Sequence, residues 1–162
     1  MDKIQLDAQF LLIDQGISTD VLNKHGDEMN FEIINGTAIE SDTVSQMIKI
    51  YIENGWGEDS DFSVESLRIA IGTGITLIAI ADGKVLGFLR GYTDHYKIAW
   101  IAEVITSVSS AKLGIGSTLV KKFINEAKAS SIYLEALNNS VVFFEKNGFK
   151  LRGKLNAMSM SV

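Results

Sequence analysis

The chain of 162 residues contains no cysteine, so it can form neither a disulfide framework nor a thiolate zinc site. It also has no run of roughly 18 uncharged apolar residues, the length that a membrane-spanning helix needs. Its first residues, MDKIQLDAQF, carry acidic side chains early and lack the apolar segment of a secretory signal. These absences predict a cytoplasmic protein that does not act in a membrane.

The composition is that of a globular protein, with 46% hydrophobic and 22% charged residues. The length suits one core and is too short for two ordinary domains. We divide the chain into an N-terminal extension over residues 1–30, packed on the domain, and one domain over residues 31–162. Residues 1–110 carry a net charge of −10 and residues 111–162 one of +5. The basic third can attract a polyanionic ligand, or the two signs can simply mark two solvated faces. The excess of Lys and Arg in residues 111–162 is too small and too dispersed to indicate a nucleic-acid interface.

Apolar spacing and capping signals predict a mixed α and β chain. In the first thirty residues AQFLLID suggests a strand, and Ser18 suggests the cap of a helix that ends at Gly26. A strand over FEIING follows, then two helices over residues 41–54 and 63–71, capped by Ser41 and Ser63.

The middle and the end of the chain alternate between strands and helices. TLIAIADGKVLGFLRGY predicts a hairpin that turns at Asp82-Gly83, and Lys97–Val108 predicts a third strand. A helix, the strand SIYLEAL, a short helix capped by Asn138 or Asn139, and closing strands FKLRGKL and AMSMSV complete the pattern. The crossover helix predicts that the strands before and after it are parallel.

A glycine pair stands between the third strand and its helix, in the stretch SSAKLGIGST. Gly114 and Gly116 would allow an anion to approach the free N–H groups at the helix start, with Lys112 beside them. The same pair also suits a close-packed turn. The dinucleotide fingerprint is excluded, since it would need glycine where Leu119 stands.

The run AWIAEVITSVSSAKLGIGSTLVKKFINEAKASSIYLEALNNSVVFFEKNGF resembles the acetyl-CoA-binding half of the GNAT N-acetyltransferase superfamily. That family combines a strand, an Arg/Gln-x-x-Gly-x-Gly/Ala loop, a helix, another strand and a helix that ends in FYEKxGF. The resemblance extends from about Phe31 to the C-terminus. It implies the GNAT acyltransferase fold, an α/β mixed sheet flanked by helices. It also implies direct acetyl transfer from acetyl-CoA to an amine in a ternary complex.

The resemblance assigns roles to individual residues. Glu103 aligns with a strand carboxylate that acts as general base; its alternatives are pairing with Arg90 across the hairpin or exposure to solvent. The acetyl-CoA residues that it implies are Ile105, Thr106, Val108, Lys112, Leu113, Gly114, Ile115, Gly116, Ser117, Asn138 and Phe144. The acceptor amine is expected near Tyr51, Trp56, Tyr92 and Asp94. No metal is expected, because His25 and His95 lie outside any metal-binding spacing.

Three positions depart from the family pattern. Ala111 stands where the loop has Arg or Gln, and Leu137 stands where the last motif begins with Asn, with Asn138 displaced by one. Phe144 replaces the Tyr that often protonates the leaving thiolate. We therefore expect an acetyltransferase acting on a small-molecule amine or an amino terminus, with a CoA-binding module of weak or lost catalysis as the alternative. The family also implies a homodimer.

Overall fold

The computed structural model describes residues 17–22, 28–155 and 157–160. Within these residues, six strands and four α-helices follow one another. They are β1 (Ile17–Leu22), β2 (Glu28–Asn35), α1 (Ser41–Glu53), α2 (Val64–Ile71), β3 (Ile75–Ala81), β4 (Lys84–Thr93), β5 (Ile98–Thr106), α3 (Ile115–Ala127), β6 (Ser131–Leu134) and α4 (Val141–Lys146).

The strands form one sheet in the order of the sequence, from β1 to β6. Each neighbouring pair is antiparallel except β5 and β6, which are parallel. The prediction of a parallel pair around the crossover helix is confirmed. The hairpin prediction is confirmed as well, because Asp82 and Gly83 both have positive φ, as a type I′ turn requires.

Helices cover both faces of the sheet, and each face has its own core. On one face, apolar residues of α1 and α2 such as Met47 and Ile71 pack on Ile78, Phe88 and Ile105. On the other face, α3 packs its apolar stripe on residues that include Leu77, Leu89 and Ile101. We call these the α1/α2 face and the α3 face. Successive side chains of a strand point alternately to the α1/α2 face and to the α3 face, so each functional residue of a strand is assigned to one of the two.

The predicted helix starts are nearly reproduced. Ser63 caps α2 with its hydroxyl, which accepts the N–H of Ser66 at 3.3 Å. Ser41 is the first residue of α1 rather than its cap, and Ser140 rather than Asn138 or Asn139 precedes α4.

Two predictions of secondary structure are wrong. The helix capped by Ser18 is strand β1 where it is described, because residues 17–22 pair along β2 and tertiary pairing overrides the local capping signal. The closing strands are not formed over residues 149–155 and 157–160. There the Leu155 N–H donates to the Arg152 carbonyl, so the chain turns instead of extending. The predicted strand AQFLLID and the predicted helix end at Gly26 lie outside the described residues.

Candidate active site

A groove opens where β5 and β6 separate. Their pairing runs from Ile98–Ser131 to Ile101–Leu134 and then stops, although β5 continues to Thr106. A cavity of about 420 Å³ lies beyond this point. It is lined by Ile101, Ala102, Glu103, Val104, Ile105, Thr106, Ser110, Lys112, Gly114, Ile115, Gly116, Ser117, Leu134, Glu135, Ser140, Phe143 and Phe144.

A β-bulge in β5 lies at the mouth of this groove. Arg90 of β4 pairs with Glu103 while the next residue, Gly91, pairs with Ile101, so Ala102 is the extra residue. A bulge bends its strand and ends regular pairing, which is consistent with the separation from β6 at this point. It also shifts the alternation, so that Glu103 lies on the α1/α2 face although Ile101 lies on the α3 face.

The glycine pair forms the turn into α3. Gly114 is left-handed with φ +84° and precedes the first helical residue, Ile115. The first N–H groups of an α-helix have no partner within the helix and face its end, where they favour an anion. A Cβ on Gly116 would lie 3.3 Å from the Phe143 ring, so this glycine also allows close packing. The structure therefore shows the close-packed turn, and anion binding by this turn stays a prediction.

The Glu103 carboxylate has two partners on a single oxygen. The Tyr51 hydroxyl donates a hydrogen bond to Oε1, and the Arg90 Nε lies 2.8 Å from the same atom. The Arg90 contact is an ion pair without a directed hydrogen bond, because its Nε–H has no aligned acceptor among the described residues. The Glu103 side chain is only 16% exposed. Both partners stabilise its negative charge and leave Oε2 outside their contacts.

Tyr51 is fixed by aromatic packing. Its ring stacks on Phe62 at 5.1 Å between centroids and meets Phe88 edge-on at the same distance, with Trp56 tilted at 6.1 Å. Burial, and next the neighbouring charge of Glu103, raise the pKa of the Tyr51 hydroxyl well above its ordinary range. Tyr51 therefore stays protonated and remains a hydrogen-bond donor to the carboxylate.

Most of the residues expected to bind acetyl-CoA line the cavity, and three do not. The Val108 N–H donates to the Glu53 carboxylate at 3.0 Å, outside the groove. Leu113 packs on the core of the α3 face, and Asn138 is exposed in the loop after β6. Phe144 lies in the cavity wall and is buried, in edge-on contact with the Phe143 ring.

The residues expected near the acceptor are only partly brought together. Tyr51 contacts Glu103 and Trp56 lies next to the Tyr51 ring, whereas Tyr92 lies farther along β4 and is exposed. Asp94 holds the turn after β4: its Oδ1 accepts the N–H groups of Tyr96, Lys97 and Ile98 at 2.8–3.0 Å. These hydrogen bonds, that of Ile98 foremost, lower the pKa of the Asp94 carboxyl.

Several cavity residues were not predicted. Leu134 and Glu135 enter because β6 ends at the groove, and Ser110 enters from the turn that follows β5. Phe143 was hidden beside Phe144 in the same short helix. The sequence VVFFEK led to the prediction that Phe144 lies at the groove, but it did not predict that Phe143 lines the groove as well.

In the part of the chain that the structure describes, no three side chains of His, Asp or Glu come together as a metal site would require. Across the same residues, no helix combines the length and apolarity needed to cross a membrane.

The family model of the acetyltransferase (GNAT) family matches residues 42–149. Solved structures share the fold. A proposed acetyltransferase from Deinococcus radiodurans R1 aligns with a TM-score of 0.66 and 23% identity over 81% of this chain and 87% of its own. A GNAT-family acetyltransferase from Streptococcus pneumoniae TIGR4 aligns with a TM-score of 0.63 and 20% identity, over 82% of this chain and 96% of its own. An aminoglycoside acetyltransferase from an uncultured soil metagenomic sample aligns with a TM-score of 0.62 and 15% identity, over 82% of this chain and 96% of its own. No curated protein matches the chain by sequence.

Proposed function

Because this chain belongs to the acetyltransferase (GNAT) family, we propose that it transfers an acetyl group from acetyl-CoA to the amine of a small molecule or to an amino terminus. The observation that carries the proposal is the carboxylate of Glu103. It lines the groove, is largely shielded from solvent, and is held through one oxygen while the other is left for a substrate.

The groove residues fit acetyl-CoA. The N–H groups at the start of α3 and the Lys112 side chain offer positive potential to a pyrophosphate, and the glycines let it approach the backbone. Beyond Ile101, β5 pairs with no described strand on the β6 side, so it can pair with an extended amide-bearing arm. Ile105 and Thr106 lie on this segment. Acetyl-CoA supplies the activated thioester carbonyl.

The chemistry assigned to the chain's own residues is proton removal and charge stabilisation. An acceptor ammonium binds at Oε2 of Glu103 and loses a proton to this carboxylate, directly or through water. The amine nitrogen then forms a bond to the acetyl carbon, the carbon–sulfur bond breaks to release CoA as a thiolate, and the further proton that the nitrogen loses neutralises this thiolate. Backbone N–H groups at the end of β5 would stabilise negative charge on the carbonyl oxygen. Val108 is not among these donors, because its N–H is bonded to Glu53.

Phe144 favours a second candidate function. Its ring occupies the cavity wall without a hydroxyl that could protonate the departing sulfur. The nearby Ser140 hydroxyl donates to the Leu137 carbonyl and is therefore engaged. A protein that binds CoA with weak or lost catalysis is the alternative that this position supports.

We also propose a homodimer. β6 is a terminal strand of the sheet without a charged residue, and such an edge can pair with another chain. Leu151 and Leu155 of the C-terminal segment are exposed and line a cavity together with Ile132 and Tyr133 of β6. Light scattering after gel filtration would show twice the monomer mass. A cytoplasmic location remains a prediction from the sequence.

The activity is tested by release of free thiol from acetyl-CoA with a panel of amines, with the products identified by mass spectrometry. Glu103→Gln should lower kcat by roughly 100-fold or more, the usual scale for loss of a general base, and leave the Kd for acetyl-CoA unchanged. The matched control is Glu135→Gln, which removes the other carboxylate of the same cavity and should change kcat little. Tight acetyl-CoA binding with no turnover on any amine would favour the CoA-binding module. A greater loss in Glu135→Gln would overturn the role of Glu103.

A further inference from the structure

A row of three aromatic side chains, two exposed and one half-buried, crosses three strands next to Glu103. Tyr92 of β4 pairs with Trp100 of β5, and Trp100 pairs with Tyr133 of β6. The Trp100 and Tyr133 rings stack, with centroids 6.2 Å apart and planes 19° apart. Tyr92 is 44% exposed and Trp100 40%, so neither α1 nor α2 covers this end of the sheet. We call these three residues the aromatic row.

The aromatic row lies on the same face as the Glu103 carboxylate. A Cβ on Gly91 would meet the Phe123 ring of α3, so the next residue, Tyr92, points to the α1/α2 face. Ile101 belongs to the core of the α3 face, which places Trp100 opposite to it. Arg90, the partner of Glu103, precedes Tyr92 by two residues on this face. The Arg90–Glu103 pair and the aromatic row are therefore roughly 7 Å apart along β4.

We propose that the aromatic row is the binding platform for the acceptor and selects an arylalkylamine, in which a flat ring is joined to the amine by a short alkyl linker. This inference rests on the proposed function. An ammonium at Oε2 of Glu103 places the rest of the molecule over the neighbouring row. The exposed Trp100 ring, which stacks on the half-buried Tyr133 ring, offers an aromatic face to a further ring, whereas a short aliphatic amine would leave it uncovered.

The occupant is defined by two kinds of complementarity. The single carboxylate of Glu103 at one end offers its second oxygen to one ammonium, and the aromatic rings of the row at the other end suit an uncharged ring. Asp94, the acidic residue nearest along β4, has its Oδ1 occupied by three backbone N–H groups. Glu135 and Glu145 line a cavity with Trp100 and Tyr133, but Lys150 and Arg152 line it as well, so the charges near the row balance and do not favour a polycationic acceptor.

Three amines test the platform: 2-phenylethylamine, 2-cyclohexylethylamine of nearly equal size, and n-butylamine. The kcat/KM for 2-phenylethylamine should exceed that for n-butylamine by roughly tenfold, with the cyclohexyl compound between them. Trp100→Ala should lower the value for 2-phenylethylamine by about the same factor and that for n-butylamine less than about twofold, and Trp100→Phe should restore most of the difference. Tyr96→Ala, which removes an exposed ring outside the row, is the matched control.

Equal kcat/KM for the three amines, or an equal loss for all of them in Trp100→Ala, would overturn the proposal. A shift of Trp100→Ala from dimer to monomer with unchanged selectivity would also overturn it, because a second copy would then cover the row. The chain has two tryptophans, so in Trp56→Phe the fluorescence reports on Trp100 alone. Saturable quenching by 2-phenylethylamine and none by n-butylamine supports the platform. The fluorescence titration tests ring binding at the aromatic row even if no amine is acetylated and the proposed function fails.

Discussion

Tyr51 and Glu103 are 52 residues apart in the chain and are joined by a hydrogen bond from the phenol to Oε1. The bond ties α1 to β5 and fixes the carboxylate at the mouth of the groove. Since the Tyr51 ring is held by Phe62 and Phe88, the orientation of Glu103 is determined by the packing of the α1/α2 face. We infer that Tyr51 is a positioning residue and does not contact the acceptor.

Tyr51→Phe should reduce kcat several-fold and leave the Kd for acetyl-CoA unchanged. The variant keeps the aromatic packing and removes only the donor that orients Glu103. Steady-state kinetics on the best amine would measure the effect, with Tyr96→Phe as a control for loss of an exposed hydroxyl. A higher KM for the amine at constant kcat would instead place the Tyr51 hydroxyl on the acceptor.

The stability of the protein should fall in alkaline solution because of Tyr51. Its pKa is raised in the folded state, so above about pH 10 the unfolded chain loses the phenol proton while the folded chain keeps it. The contribution is complete below that pH and is lost as the pH rises, at about 1.4 kcal/mol of unfolding free energy per pH unit. Urea titrations between pH 9 and 11 should therefore show a steeper decline for the wild type than for Tyr51→Phe. Parallel declines would contradict the shift.

Gly114→Ala should weaken acetyl-CoA binding. The residue has φ +84°, a conformation that costs a non-glycine residue about 1–2 kcal/mol, so the turn that presents the first N–H groups of α3 would be distorted. Gly83→Ala is the matched control, since it introduces comparable strain at φ +72° in the distant hairpin turn. Calorimetric titration with acetyl-CoA should show a higher Kd for the first variant only. Equal affinities in the two variants would show that this turn does not contact the ligand.

Phe144→Tyr should raise kcat if the departing sulfur lacks a proton donor in the native chain. The new hydroxyl would stand at the cavity wall, where the family pattern has Tyr. Its benefit should be larger at pH 6.5 than at pH 10, because a phenol with the ordinary pKa of about 10 is protonated at the first pH and only about half protonated at the second. Phe143→Tyr adds the same hydroxyl to the adjacent ring and serves as control. A folded Phe144→Tyr variant with unchanged kcat at both pH values would show that no donor is missing.

Asp94 should matter for stability more than for the acceptor. Asp94→Ala removes the acceptor of three backbone hydrogen bonds and should lower Tm, while Asp94→Asn keeps an oxygen and should lower it less. Because its pKa is lowered on folding, the contribution of Asp94 is present above about pH 4 and is lost as the solution becomes more acidic. Thermal melts from pH 3 to 7 should show this loss in the wild type but not in Asp94→Asn. An increase in the KM for the amine in Asp94→Asn would restore its predicted role at the acceptor.

Local patterns predicted the elements whose signals lie within a short window. The type I′ turn at Asp82-Gly83, the cap at Ser63 and the apolar stripe of α3 are signals of this kind. The wrong predictions concern segments whose state depends on distant partners. β1 is a strand because β2 lies beside it, and the closing strands are missing in the described residues of a segment that makes a turn instead.

The candidate site was predictable where the family pattern applies and not where the bulge changes the geometry. Strict alternation would place Glu103 on the same face as Ile101, in the core of the α3 face, because the two residues are two apart. The extra residue reverses this, and nothing in the letters IAEVI signals it. The Trp100–Tyr133 stack was missed for a similar reason, since it needs the register of two parallel strands.

The bulge at Ala102 has a consequence for inheritance of activity among related chains. A homologue that lost this one residue by deletion would keep Glu103, Tyr51, the glycine turn and its match to the family. Its β5 would be straight, however, and could continue to pair with β6 where the groove now opens. Such a chain would have every residue named above and would still match the family, but its groove would be closed. Insertions and deletions in this strand should therefore alter the groove more than most substitutions do.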